Sequence, residues 1–591
     1  MTRAPLLALL AATLAFAADP RGKEDLDEHD MLGLRQEAKA RVSDIEQHLN
    51  DWDLDSAKAE LKELEGLVPI DLEAVHYFKG RIAFEEGRYE EAVTELEKGN
   101  TEDKPGSYIR LAKDSRDITA RYVKHESEHF VFLSPPGKDE LLAPYALEAL
   151  EKQRAALLAD LGWASNEKVR IEILSNYSEL SKESTLPKDS IKTTGTIAIC
   201  KFNKLMVTSP KALMHGYDWV DTLAHEYTHF VIAKKSRNSV PIWMHEGLAK
   251  YLESRWRGAP GGAMTPSMLA LLGKRVRENK LVPFEKMHPS MALLPTAEDA
   301  SCAFSEVFFA IDLLEKTKGT QALSNMLTAM GKGSSDKQAV ELAFGQPWPA
   351  FEKAWMGHLK KQPYPAELVP PSSDEKKEVA DKNKQQKKPR EISFGDFREI
   401  AEEEPRKQAH LGELLRERGR VTSAAEEYGK AYDRVKNRYE SLSNKYALAL
   451  MELKRLDEAQ KVLEGSLTMH PGSSTTHVYL GRLALLKKDW ARAKTEYQEA
   501  FAVDPFNPEV HLALYRSFDA LKVKAEADRS KHAASVLLGI PEEKVGAIAA
   551  QMLGENPVEV SVPPPAPDAA PADAGTAIPQ QKNPANAPKV R

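Results

Sequence analysis

His225-Glu226-Tyr227-Thr228-His229 sets two histidines four residues apart with an acid beside the first. The neighbours Thr222-Leu223-Ala224 and Phe230-Val231 continue a helical pattern on either side. At 3.6 residues per turn, positions four apart lie one above the other on the same helix face. Two imidazoles so placed can meet one Zn²⁺ at roughly 2.0–2.1 Å each. Glu226 is rotated away by one residue, so its carboxylate flanks the cation rather than binding it. That place suits a base taking a proton from a water activated by the metal. The motif fixes only three positions, and a helix with two surface histidines reads the same way.

A second segment, Val240-Pro241-Ile242-Trp243-Met244-His245-Glu246-Gly247-Leu248-Ala249-Lys250-Tyr251-Leu252, opens another helix shortly afterwards. Pro241 stands where its missing N–H costs nothing. Gly247 is awkward inside a helix, by about 1 kcal/mol relative to Ala; close approach of another backbone would explain it. His245 and Glu246 are adjacent, so they point about 100° apart and only one can face a cation on the first helix.

Together the two segments resemble the gluzincins, and most closely the bacterial peptidase-MA-like family. In that family a helix reading Pro-x-Trp-x-x-Glu-Gly-x-Ala supplies a third metal ligand, and here the phrase is Pro241, Trp243, Glu246, Gly247 and Ala249. The resemblance covers about 125 to 360. It implies one Zn²⁺ held by His225, His229 and Glu246, with Glu226 as catalytic base. Three protein ligands leave a fourth position for water, the catalytic rather than the structural pattern, and the implied reaction is peptide-bond hydrolysis. Gluzincins of the thermolysin kind carry an acid four residues after the ligand Glu, to orient a zinc-bound His; here that position is Lys250. Asp221 and Glu253 are the candidates for that work. Family members often show a Tyr in the helix after the third ligand, to stabilise the transition-state oxyanion. The stretch Ser301–Val307 has none, which leaves Tyr251, Tyr217 and His215 as candidates.

These residues need a scaffold. His129–Leu133, Val169–Leu174, Thr196–Ile199 and Lys204–Thr208 are short β-like runs bounded by turn residues. A helix from about 139 to 161 separates the first two, and beyond about 215 the pattern is almost wholly helical. Strands first and helices after predict an α+β, zincin-like domain over 124–361. Lys204–Thr208 resembles the superfamily's edge strand, which pairs with substrate backbone, although its side chains also suit plain sheet core.

All-α regions flank that domain. Leu411-Gly412, Ala424, Tyr428 and Ala431 recur as Tyr446-Ala447, Ala459, Leu463 and Ser466, and again as Leu480-Gly481, Ala493, Tyr497 and Ala500. The units close at Pro471 and Pro505, 34 residues apart. This looks like the tetratricopeptide repeat and defines a domain over 396–545 that would recruit protein partners or substrates. A single similar unit, Phe78-Lys79-Gly80 with Ala92, Leu96 and Gly99, falls in a helical region over 25–123. One unit cannot bury its own face, so the amphipathic residues 28–66 are expected to stack beside it.

Residues 362–395 are charged and Pro-rich, and 556–591 are Pro/Ala-rich; both bury too little apolar surface to offset ordering. The first reads as a disordered linker that lets the repeats move, the second as a disordered tail. Arg3, the apolar run Leu6–Phe16 and the small residues Ala15-Phe16-Ala17 read as a signal peptide over 1–17. The run is short against the roughly 20 residues of a membrane-spanning helix. The expected location is therefore the periplasm or the exterior. Cys200 and Cys302, a hundred positions apart, make no disulfide framework. With 82 Lys+Arg against 89 Asp+Glu and no basic stripe, nucleic-acid binding is unsupported. A second function class also fits: a non-catalytic envelope assembly or scaffold protein with a degenerate peptidase-like domain.

Overall fold

The computed structural model describes residues 28–365 and 397–552, apart from 190, 192–194, 215, 259, 262–263, 289 and 292–293. The expected signal peptide, nearly all of the expected linker, and the expected tail lie outside the described residues, as does His215.

The chain begins with helices α1 (Glu28–Asn50), α2 (Leu54–Leu67), α3 (Glu73–Glu85), α4 (Tyr89–Lys98) and α5 (Tyr108–Thr119). A sheet follows, built from β1 (Val123–Glu126), β2 (Phe130–Ser134), β3 (Val169–Leu174), β4 (Ala198–Lys201) and β5 (Lys204–Thr208). Helix α6 (Ala143–Leu161) crosses between β2 and β3, and α7 (Tyr177–Ser184) follows β3. Then come α8 (Trp219–Ser236), α9 (Ile242–Leu252), α10 (Pro266–Glu278), α11 (Ala297–Lys318), α12 (Thr320–Gly331), α13 (Asp336–Phe344) and α14 (Trp348–Lys360). Among the described residues no helix is long and apolar enough to cross a membrane.

The strand order is β1-β2-β3-β5-β4. The two central pairings, β2–β3 and β3–β5, are parallel, and the outer pairs are antiparallel. This corrects one expectation. Lys204–Thr208 is paired on both sides, and the edge on that flank is Ala198–Lys201. The β5 side chains are plain sheet core, the alternative the sequence allowed: Lys204 and Thr208 are both buried. Lys204 Nζ lies 2.6 Å from Glu172 Oε2, bonds Glu183, and donates to the Tyr89 hydroxyl at 2.9 Å. Burial and the neighbouring Glu172 charge push the Glu183 carboxyl up to about 8. A charge so placed persists only because it is paired and hydrogen-bonded; the N-terminal helices, through Tyr89, complete that pairing. The opposite face of the sheet is apolar, with Phe130, Phe132, Ile171, Ile173, Leu205 and Val207 joining the core around α6 and α8. Strand β1, polar and half exposed, carries no alternation that sequence could reveal.

The C-terminal helices pair as α15 (Glu403–Glu417) with α16 (Val421–Val435), α17 (Glu440–Glu452) with α18 (Leu456–Leu467), α19 (Ser474–Leu486) with α20 (Trp490–Val503), and α21 (Pro508–Ala520) with α22 (Lys524–Leu538). A last helix, α23 (Glu542–Met552), runs past the expected boundary at 545. The repeated glycines explain the close pairing: a Cβ on Gly412 would lie 2.7 Å from the Tyr428 ring, and one on Gly80 would lie 2.5 Å from Leu96. The turn within the later pairs uses a left-handed residue at Lys454, Lys488 and Lys522, each 34 residues after the last.

The array does not stand free on its linker, as the composition of 362–395 suggested. Tyr497, Phe501, Val510 and Phe518 share one continuous core with the sheet-bearing domain. The reason is apolar surface: the Phe501 ring lies 4.5 Å, tilted, from Tyr145 and meets Trp219 edge-on at 5.9 Å. Helix α8 is thereby gripped at both ends, because Lys234 near its C-terminus donates to the Trp52 carbonyl at 2.7 Å and Phe230 packs on the Trp52 ring.

Candidate metal centre

Helix α8 opens with Asp218, whose carboxylate accepts the Asp221 N–H, and it buries Leu223, Tyr227, Phe230 and Val231 against the core. That burial turns the opposite face, with His225 and His229, toward α9. Their rings lie 4.6 Å apart, centre to centre. Helix α9 is pressed close by Gly247: a Cβ there would sit 2.8 Å from the Val307 carbonyl oxygen of α11. The backbone approach expected at this glycine is thus the α9–α11 crossing, and the residue before it is brought over the histidines.

His225 Nε2 and His229 Nε2 stand 3.5 and 3.6 Å from Glu246 Oε2. One ligand atom from each of His225, His229 and Glu246 falls within 4.8 Å of the others. Each imidazole is fixed from behind. His225 Nδ1 meets Glu253 Oε2 at 2.9 Å, and His229 Nδ1 meets His245 Nδ1 at 2.6 Å. A carboxylate at Nδ1 holds a proton there, so Nε2 of His225, facing the Glu246 oxygen, is the nitrogen left to bind a cation or, without one, to carry the ring's second proton. Two Nε2 atoms facing one carboxylate oxygen call for positive charge between them, as a proton or as a cation. Burial alone would lower the His225 pKa, but hydrogen bonds to Glu246 and Glu253 outweigh it and push the ring up to about 10. Burial would likewise raise Glu246, yet the two histidines hold it well below the carboxylate range. The donor set of two nitrogens and one oxygen, converging from one side, therefore fits a divalent cation with an open position.

Glu226 is buried beside this group, and burial, opposed by His229 and His225, raises its pKa. It accepts the backbone N–H of Cys200, so the edge strand β4 runs over the acid. Both cysteines are free.

The acid behind His225 is Glu253. It lies seven residues after Glu246, two turns on along the same face, and Lys250 in the expected position binds its other oxygen at 2.7 Å. Asp221 does not serve: its carboxylate takes Trp256 Nε1 at 2.8 Å and Arg257 at 3.0 Å instead. The Tyr251 hydroxyl, the candidate oxyanion donor, donates to Glu315 at 3.1 Å. Tyr217 donates to the Thr208 carbonyl at 2.5 Å. His245 is placed as the partner of His229; burial and the His229 ring lower its pKa to about 3, leaving it neutral and able to accept from Nδ1–H. Outer partners of this kind carry roughly 10–100-fold in metal affinity. Glu253→Gln and His245→Ala are each expected to weaken Zn²⁺ by about that factor, read by competition with a chromogenic chelator. Unchanged affinity in both variants would refute the orienting role.

Residues 149–361 match the family model described as the Peptidase MA superfamily. Residues 74–104 and 450–517 match tetratricopeptide repeat models. The chain thus carries a peptidase-MA-like domain together with tetratricopeptide repeats. No curated protein matches it significantly. Solved structures that resemble it include yeast LTA4 hydrolase in complex with bestatin, at 13% identity and a TM-score of 0.28, covering 70% of this chain and 67% of that one. Native leukotriene A4 hydrolase from Saccharomyces cerevisiae matches at 13% identity and a TM-score of 0.26, covering 73% and 67%. At these values the likeness is a loose one.

Proposed function

We propose that this chain, with its Peptidase MA superfamily domain over 149–361, is an exported zinc-dependent metallopeptidase of the gluzincin type. The observation that carries the reading is the convergence of His225, His229 and Glu246 around one point, with Glu226 buried beside it. Held by those three side chains, Zn²⁺ supplies Lewis-acid chemistry, acidifying water and polarising a carbonyl.

The chain's own residues do the rest. Glu226, its pKa raised by burial, accepts the proton of the attacking water and returns it to the departing amine. Glu253 and His245 keep both imidazoles in the tautomer that presents Nε2. Strand β4, paired only to β5 on its inner side, offers its outward backbone to an extended substrate by β-addition. The tetratricopeptide repeats hold protein partners or substrates. The N-terminal Arg3 and apolar run are the basis for export to the periplasm or beyond.

The test is metal analysis of the purified chain, then digestion of an unfolded protein with and without a chelator. One zinc per chain and chelator-sensitive cleavage are expected. A metal-loaded protein that cleaves nothing would overturn the peptidase reading and leave the scaffold function in its place.

A further inference from the structure

The loop that starts the His-Glu-x-x-His helix is built against the C-terminal repeats as well as against its own domain. Gly216 has a left-handed φ of 63°, and a Cβ there would collide with the Val503 carbonyl oxygen at the end of α20. Tyr217 N–H donates to that same oxygen at 3.1 Å. Trp219 Nε1 donates to the Phe501 carbonyl at 3.3 Å, and the two rings meet edge-on. The last carbonyls of a helix lack partners within it; here two carbonyls near the end of α20 take donors from the first residues before and in α8. Arg257, bonded to Asp218 and Asp221 at the start of α8, reaches Glu499 of α20 at 4.0 Å. The loop is close to the chemistry, since the Glu226 charge is among those felt by the Tyr217 phenol.

We propose that the C-terminal end of α20, through Phe501 and Val503, is a positioning element of the candidate catalytic site, setting the start of α8 and with it His225 and Glu226. The repeats then act on catalysis as well as on recruitment. This rests on the peptidase reading above. Small displacements are costly in such a site, because a misplacement of about 1 Å can cost 10²-fold in rate.

The experiment uses the full-length zinc-loaded chain. Phe501→Ala removes the ring at the contact, Gly216→Ala drives a methyl into the Val503 carbonyl, and Phe501→Leu is the conservative partner. Thr495→Ala, an exposed residue of α20 whose hydroxyl bonds the Ala491 carbonyl of its own helix, is the control. Peptide hydrolysis is expected to lose about 10–100-fold in kcat with KM little changed in the first two variants, to recover largely in Phe501→Leu, and to stay at wild-type level in the control. Amide exchange in the first turns of α8 is expected to quicken in step. Unchanged kcat and unchanged exchange at 216–225 in Phe501→Ala would overturn the proposal. Should that variant fail to fold, Trp219→Phe, which deletes the bond to the Phe501 carbonyl while keeping an aromatic ring in the core, decides by the same readings. If the wild-type chain binds no zinc and cleaves nothing, the peptidase reading fails, while amide exchange still decides the positioning.

Discussion

Glu226→Gln is expected to lower peptide hydrolysis by about 10²–10⁴-fold, the range a positioned general base contributes, while one zinc remains bound. The two halves of that outcome separate because Glu226 belongs to no ligand pair. The three ligand atoms within 4.8 Å come from His225, His229 and Glu246, and Glu226 sits one residue round the helix, under the Cys200 N–H. Gln keeps the shape and still accepts that N–H through its amide oxygen, but it cannot take a proton at neutral pH. The assay is kcat against metal stoichiometry on the same preparation. Unchanged turnover would remove Glu226 from the role of base; lost zinc together with lost turnover would make it a ligand instead.

Glu246→Ala is expected to remove the metal altogether and with it all chelator-sensitive cleavage. Glu246 is the only contributor from the second helix, and its carboxylate is the negative charge that both Nε2 atoms face. Without it, the two histidines offer one face of a cation and nothing opposite. The same change should relieve the pull on His225, whose raised pKa depends on hydrogen bonds to Glu246 and Glu253. The sign follows. In the metal-free wild type the charged ring is favoured up to about pH 10, and losing Glu246 moves its titration downward. NMR titration of the imidazole beside metal analysis checks both. Retention of stoichiometric zinc in Glu246→Ala would overturn the ligand assignment.

Much of the site was legible because its spacing is helical. Positions 225 and 229 share a face whatever surrounds them, and the Pro241–Ala249 phrase brought Glu246 with it. The glycine cost at Gly247 signalled a backbone crossing before α11 was known to make it. Glu253 was harder to read. A two-turn separation from Glu246 is as good a helical register as one turn, but the familiar acid position held Lys250, and only the packing of α9 on α8 told Glu253 from Asp221. Strand β5 reads as an edge by resemblance, but the strand that covers it, Ala198–Lys201, is short, and partners far apart in sequence bury Lys204: Glu172, Glu183 and Tyr89.

The sequence by itself determined the local periodicities: the two-histidine helix, four of the five short strands, and the 34-residue pairs with glycine under tyrosine. Each follows from backbone geometry that repeats within a few residues. What tertiary structure alone decided is where distant surfaces meet: which strand forms the edge, which acid backs His225, and that Phe501 seats the repeats on the start of α8. Those depend on apolar and charged groups finding partners tens to hundreds of residues away, and no pattern within a single segment encodes them.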